Sequence, residues 1–158
     1  MPLKVALQMD PIENVSISAD STFRLGLEAE ARGHSLFQYT PDGLIFDEGK
    51  LLARGRDVSL RREQGNHVSF GEWRTAELAE FDVLWLRQDP PFDMGYVTTT
   101  HLLDRVHPDV LVVNDPFWVR NSPEKLFVLD FPELTPPTMI ARDVEAIRAF
   151  RQRHDEII

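Results

Sequence analysis

No cysteine occurs in the 158 residues. That excludes a disulfide framework, thiol nucleophiles and thiolate metal sites, and it suits a reducing compartment. No apolar run approaches the roughly 18 residues that a membrane-spanning helix needs. The first nine residues lack the basic segment and apolar stretch of a secretory signal, so the chain reads as cytoplasmic with no membrane partner. Positive charge is scarce, with 17 Lys and Arg against 26 Asp and Glu and a net charge of −9. Binding nucleic acid requires surplus cations against phosphate, so no nucleic-acid partner is expected. The one basic cluster, Arg54, Arg56, Arg61 and Arg62, shares its stretch with Asp57 and Glu63 and reads as a solvated hairpin face. Among the five histidines, His101 and His107 lie six apart, off the i, i+4 spacing that shares a helix face. No metal is expected on side chains of this chain alone. There is also no Ser-His-Asp constellation, glycine-rich phosphate loop or paired-carboxylate motif.

What is present is enough for a core. At 42% hydrophobic and 27% charged residues, the chain fits one domain, or one domain and part of another. Three apolar strands run directly into Asp-Pro pairs: Val5–Met9 into Asp10-Pro11, Phe81–Leu86 into Arg87-Gln88-Asp89-Pro90, and Leu111–Asn114 into Asp115-Pro116. In an open α/β sheet, ligands bind at the carboxyl ends of the strands. Asp10, Arg87 and Asp89 are therefore candidates for one functional rim. Each Asp-Pro also has a plain reading, with Asp capping a turn or helix and Pro presetting φ. Arg87 suits bidentate capture of a carboxylate or phosphate, or an internal ion pair with Asp89 or Asp93; both readings stay open. One X-Pro bond at Pro90-Pro91 is a candidate for the cis form. Trp73, Trp85 and Trp118 read as core or interface.

The first forty residues read β-α-β: a strand over Leu3–Gln8, a helix capped by Ser18, Asp20 or Ser21, and a strand over Ser35–Tyr39. The helix has apolar Phe23, Leu25, Leu27, Ala29 and Ala31 and a stop at Gly33. Leu44–Phe46 and Leu51–Ala53 read as a hairpin excursion. Tyr96–Arg105 reads as a helix with Tyr96, Leu102 and Leu103 inward. Ser122 and Pro123 read as N-cap and first residue of a helix holding Lys125, which a helix start can aim at an anion. Three prolines in Phe131–Pro137 mark a linker or a tight traverse. A short apolar piece, Thr138–Ile140, follows it, then a helix from Asp143 through Phe150. Asp155–Ile158 reads as a strand begun and not finished, pointing to a truncated product. The fold expected is α/β, an open, mainly parallel sheet with flanking helices.

Five runs together resemble the amino-terminal half of bacterial glutathione synthetases: Gln8–Ile12, Leu86–Asp93, Val113–Pro116, Arg120–Leu126 and Leu134–Thr138. The resemblance is collinear from residue 3 to 158. The run Arg87-Gln88-Asp89-Pro90-Pro91-Phe92-Asp93 is its most specific part. It implies a Rossmann-like pre-ATP-grasp domain over residues 1–123 and the beginning of an ATP-grasp domain over 124–158. It implies ATP-dependent ligation of glycine to γ-glutamylcysteine through an acyl phosphate, with ATP and Mg2+, in a homo-oligomer. Asp10, Arg87 and Asp89 would lie toward the peptide substrate, and Lys125 would be the lysine at the nucleotide phosphates. The glycine-rich loop, a second ATP lysine and the Mg2+ ligands of that family would fall after residue 158. The chain alone is therefore expected to be inactive. The alternatives are a non-catalytic binding or assembly module of the same fold, or another ATP-grasp carboxylate–amine ligase.

Overall fold

The computed structural model describes residues 1–154, 156 and 157. It divides into two compact units, Met1–Asn121 and Ser122–Ile158. The expected strand at Asp155–Ile158 lies partly outside the described residues, since Asp155 and Ile158 are among those not described.

The first unit is built around a seven-stranded sheet. Its parallel part contains β2 (Ser35–Tyr39), β1 (Lys4–Gln8), β6 (Val83–Leu86) and β7 (Leu111–Val113), side by side in that order. Helix α1 (Ser21–Ala31) makes the crossover from β1 to β2, and α2 (Met94–Leu103) the one from β6 to β7. The βαβ reading of the first forty residues holds.

The excursion after β2 is larger than a hairpin of short runs. β3 (Leu44–Asp47), the eleven-residue β4 (Lys50–Leu60) and the ten-residue β5 (Val68–Glu77) form an antiparallel extension. It joins the parallel strands through β4 and β2.

Both faces of the central strands β1 and β2 are covered, so side chains of alternate parity enter different cores. Val5, Leu7, Leu36, Val58 and Leu60 pack with Phe23 and Ala29 of α1. Ala6, Phe37, Tyr39, Leu51, Ala53, Leu84 and Leu86 pack with Leu103 of α2. The backbones of β4 and β2 approach closely at one position. A Cβ at Gly55 would lie 2.3 Å from the carbonyl oxygen of Gln38, so the β4–β2 approach needs a glycine there.

The α1 cap is Asp20, whose carboxylate accepts a 2.6 Å hydrogen bond from the Phe23 amide. Gly33 follows the helix at φ +82°. The inward face of α1 is Thr22, Phe23, Gly26 and Ala29, while Leu25 and Ala31 face solvent. A 3.6-residue period selects those positions, and the every-second-residue apolar set does not follow it. In α2, Thr99, Thr100 and Leu103 are buried; Tyr96 and Leu102 are half-buried. Trp73 and Trp118 are surface residues, not core; Trp73 lies beneath the guanidinium groups of Arg56 and Arg54 at 4.7 and 5.5 Å.

The second unit contains α4 (Glu124–Phe127), two 3-10 turns and α5 (Val144–Arg151). Pro123, not Ser122, occupies the N-cap of α4, and no side chain caps it. Asp143 caps α5 by accepting from the Ala146 amide at 2.7 Å. Thr138–Ile140 forms no strand, and its side chains are exposed.

Candidate functional site

The carboxyl edge of the parallel strands is held by hydrogen bonds between the loops that leave them. The Arg87 amide donates to the Gln8 carbonyl at 2.8 Å, extending the β1–β6 ladder to the rim. The Gln8 side chain, fully buried, accepts from the Tyr39 hydroxyl at 3.0 Å and donates to Gln88 Oε1 at 2.6 Å. Burial pushes the Tyr39 hydroxyl well above its ordinary pKa, so it stays a neutral donor. Above this layer the Asp89 amide donates to Asp10 Oδ2 at 3.0 Å. Two of the three Asp-Pro loops are thereby tied to each other.

Arg87 makes neither internal ion pair considered for it. Its Nε donates to Thr22 Oγ1 at 2.9 Å and its Nη2 to Ser21 Oγ at 2.8 Å. Asp93 instead caps α2, accepting from the Tyr96 amide at 3.0 Å. Phe92 packs on Tyr96 with ring centroids 4.9 Å apart. The Arg87–Asp93 run thus divides its work. Its first half faces the rim and its second half starts a helix. The Pro90-Pro91 bond is cis.

Asp10, Arg87 and Asp89 line one cleft of about 200 Å3, together with Met9, Val15, Ala19, Asp20, Ser21 and Thr22. A second cleft, of about 500 Å3, adjoins Asp89 and is lined by Asp42, Gln88, Tyr96 and Thr99 among others. The Tyr96 hydroxyl is held above its ordinary pKa chiefly by burial, with Arg87 lowering it and Asp89 raising it. The third Asp-Pro pair does something else. Asp115 accepts from the amides of Phe117 and Trp118 at 2.9 and 3.3 Å, which caps α3 (Pro116–Asn121), and it lines neither of these clefts.

Ser21, Thr22, Gln8, Gln88 and Tyr96 were not identified from sequence as rim residues. For Ser21 and Thr22 a signal existed. In a βαβ unit the helix after the first strand begins at the same edge where that strand ends. Gln8 and Gln88 look like ordinary polar residues in sequence, and only their contact reveals the layer.

Lys125 lies in α4, in the second unit. Among the described residues, no group of three or more His, Asp and Glu side chains is placed to hold a metal ion, and no helix is long and apolar enough to cross a membrane.

The family model described as prokaryotic glutathione synthetase, N-terminal domain, matches residues 3–120. The chain belongs to this family. The ATP-grasp domain of prokaryotic glutathione synthetase matches residues 124–158. A glutathione synthetase of Mesorhizobium japonicum is 55% identical over 158 residues, covering 100% of this chain and 50% of the relative. One of Brucella melitensis is 54% identical over 100% of the chain and 51% of the relative. One of Vibrio cholerae is 40% identical over 99% and 49%. The chain spans about half the length of these curated glutathione synthetases.

Proposed function

We propose that this chain is the amino-terminal portion of an ATP-dependent glutathione synthetase that joins glycine to γ-glutamylcysteine through an acyl phosphate. The observation that carries the reading is identity of 51–55% over the whole chain with four glutathione synthetases. The division we propose is a domain over 1–123 and the opening of an ATP-grasp domain over 124–158. In this reading Asp10, Arg87 and Asp89 meet the peptide substrate, and Lys125 meets the phosphates of ATP.

The rim is chemically suited to its part. A guanidinium oriented by two hydroxyls keeps three of its five N–H groups for a carboxylate, which it can hold in a planar, two-point contact. Such a contact positions the substrate without reacting with it, and positioning supplies much of the catalysis in acyl-phosphate chemistry. The described residues do not fit Mg2+, because among them no group of three or more carboxylate or histidine side chains is placed to hold a metal ion. We assign no step of this chain to the metal, whose ligands the reading puts outside these residues. A cytoplasmic homo-oligomer completes the proposal.

The test is phosphate release with γ-glutamylcysteine, glycine and Mg-ATP. It compares the 158-residue chain with the same chain joined to the carboxyl-terminal half of the Mesorhizobium japonicum relative. Turnover is expected only from the joined protein. Glutathione made by the short chain would overturn the division of labour, and a folded but inactive joined protein would overturn the ligase reading.

A further inference from the structure

Gln8 breaks the pattern of its own strand. Val5, Ala6 and Leu7 before it are buried and apolar, and Gln8 is as fully buried as they are. An apolar residue would lose no hydrogen bonds to water there, whereas burying an amide is costly unless those bonds are replaced. Two groups replace them. The Tyr39 hydroxyl donates to Gln8 Oε1 at 3.0 Å, and Gln8 Nε2 donates to Gln88 Oε1 at 2.6 Å. Exchanging water for protein partners returns little net stability, and apolar groups of the same shape do nearly as well. Stability alone therefore does not account for this triad.

Its place in the fold does. Tyr39 and Gln8 are the last residues of β2 and β1, and Gln88 comes two residues after Leu86, the end of β6. β1 lies between the other two strands, so the triad ties three neighbouring strand ends together directly beneath their loops. Gln88 stands between Arg87 and Asp89, and alternation sends its side chain to the face opposite that of Arg87. Arg87 bonds to Ser21 and Thr22 at the start of α1, Gln88 bonds to Gln8 on the other face, and the Asp89 amide bonds to Asp10. Three consecutive residues are thus held from three directions. We propose that Gln8, backed by Tyr39, is a positioning residue that fixes the Arg87–Asp89 turn through Gln88. It touches no substrate itself. The inference rests on the reading of Arg87 and Asp89 as contacts to the peptide, and it adds what keeps them in register. Side chains that meet a ligand need supports that lock them, and a misplacement of about 1 Å can cost about 100-fold in rate.

The deciding variant combines Gln8→Met with Tyr39→Phe, which replaces both buried polar groups by apolar ones of similar shape. In the joined protein its kcat/KM for γ-glutamylcysteine is expected to fall by about 10- to 100-fold, carried by KM, with KM for ATP unchanged. The Tm of the 158-residue chain is expected to stay where it is. In that chain, NMR backbone order parameters at Gln88 and Asp89 are expected to drop from about 0.85 toward 0.6, while those of Val5–Leu7 hold. Gln88→Met cuts the turn from the triad and leaves the core intact. It is expected to give the same two changes, so the test stands even where the double variant does not fold. Undiminished use of γ-glutamylcysteine, or unchanged order parameters, would overturn the positioning role. So would a lowered Tm with equal losses on both substrates, which marks a core defect. If the folded parent joined protein makes no glutathione, the ligase reading fails, and the order parameters of the short chain alone then decide whether Gln8 holds the turn.

Discussion

The two units use apolar residues in opposite ways. In residues 1–121, large side chains such as Phe23, Phe37, Tyr39, Leu7 and Leu84 are fully or almost fully buried on the two faces of one sheet. In residues 122–157, no described side chain is buried. Leu126, Phe127, Leu129, Leu134, Ile140 and Val144 are each about half exposed or more. The contrast shows what a core requires. A stretch of fewer than about 40 residues buries too little surface to offset the entropy of ordering it. α5 has an Asp cap and an apolar stripe, yet nothing of its own unit closes over that stripe. Local signals form the helix, and packing energy must come from elsewhere.

Amide exchange tests this contrast most severely. In the 158-residue chain, amides of β1, β2 and β6 are expected to open only with global unfolding, at about 5 kcal/mol or more, while those of α4 and α5 open near zero. The two sets should differ in protection by on the order of a thousandfold. Equal protection in α5 and β1 would show that the second unit has a core of its own.

Within the first unit, Phe37→Ala is expected to cost about 3–5 kcal/mol by opening a void between Tyr39 and Phe81. Gly55→Val tests the close approach of β4 to β2. The new Cβ would meet the Gln38 carbonyl, a backbone atom that cannot swing aside, and a loss of about 1–3 kcal/mol is expected. Urea denaturation reads both. A stable Gly55→Val protein would mean that β4 and β2 sit farther apart.

The parallel half of the sheet and its rim were legible from sequence because their signals are local. Short apolar strands, an Asp cap and a terminal glycine each carry their own physics. Of the antiparallel half only the β3–β4 hairpin was, through Leu44–Phe46 and Leu51–Ala53; the length of β4 and the whole of β5 were not. β4 presents Leu51, Ala53, Gly55, Val58 and Leu60 inward, and its small central residues and flanking arginines conceal the alternation. In β5 the pairing register slips, with Arg56 opposite Trp73 but Val58 opposite Phe70. The extra residue near Gly71 breaks the period of two that would have announced a strand. The site shows the same limit. Asp10, Arg87 and Asp89 follow from strand ends, whereas the hydroxyls that orient Arg87 come from residues 65 and 66 positions away.

If the units divide the work of binding, single changes in each should separate two substrates. In the joined protein, Arg87→Ala is expected to weaken use of γ-glutamylcysteine, and Lys125→Ala use of ATP. Each loses a charge-assisted contact of roughly 1.5–3 kcal/mol, or about 10- to 150-fold in kcat/KM. Kinetics with each substrate varied in turn would show both. A matching loss on both substrates from Arg87→Ala would argue for a purely structural arginine.

The first unit should also respond to alkali. Tyr39 is fully buried, and its pKa is raised well above 10.0 in the folded state. The unfolded chain thus releases this proton first as pH rises. The contribution of the neutral hydroxyl is complete below about pH 10 and is lost above it, by up to about 1.4 kcal/mol per pH unit. Tyr39→Phe should remove that part of the alkaline slope while losing the hydrogen bond to Gln8. An unchanged slope would mean that the hydroxyl reaches water.

The smallest effect belongs to the second unit. Asp143 caps α5, and removing such a cap costs about 0.5–2 kcal/mol where the helix is part of a cooperative fold. Here no residue of α5 is buried, so the cost falls on the helix and not on the protein. An eight-residue helix is marginal in water by itself, and loss of the Ala146 hydrogen bond should shift much of its population toward coil. Asp143→Ala is therefore expected to move the Cα chemical shifts of residues 144–151 toward coil values while leaving the Tm of the 158-residue chain unchanged. The same substitution in the joined protein should lower its Tm by about what a cap is worth, because the proposed remainder of the domain would cover Val144 and Ile147. A Tm drop in the short chain would show that α5 already folds together with the sheet, and the contrast between the units would then be one of exposure alone.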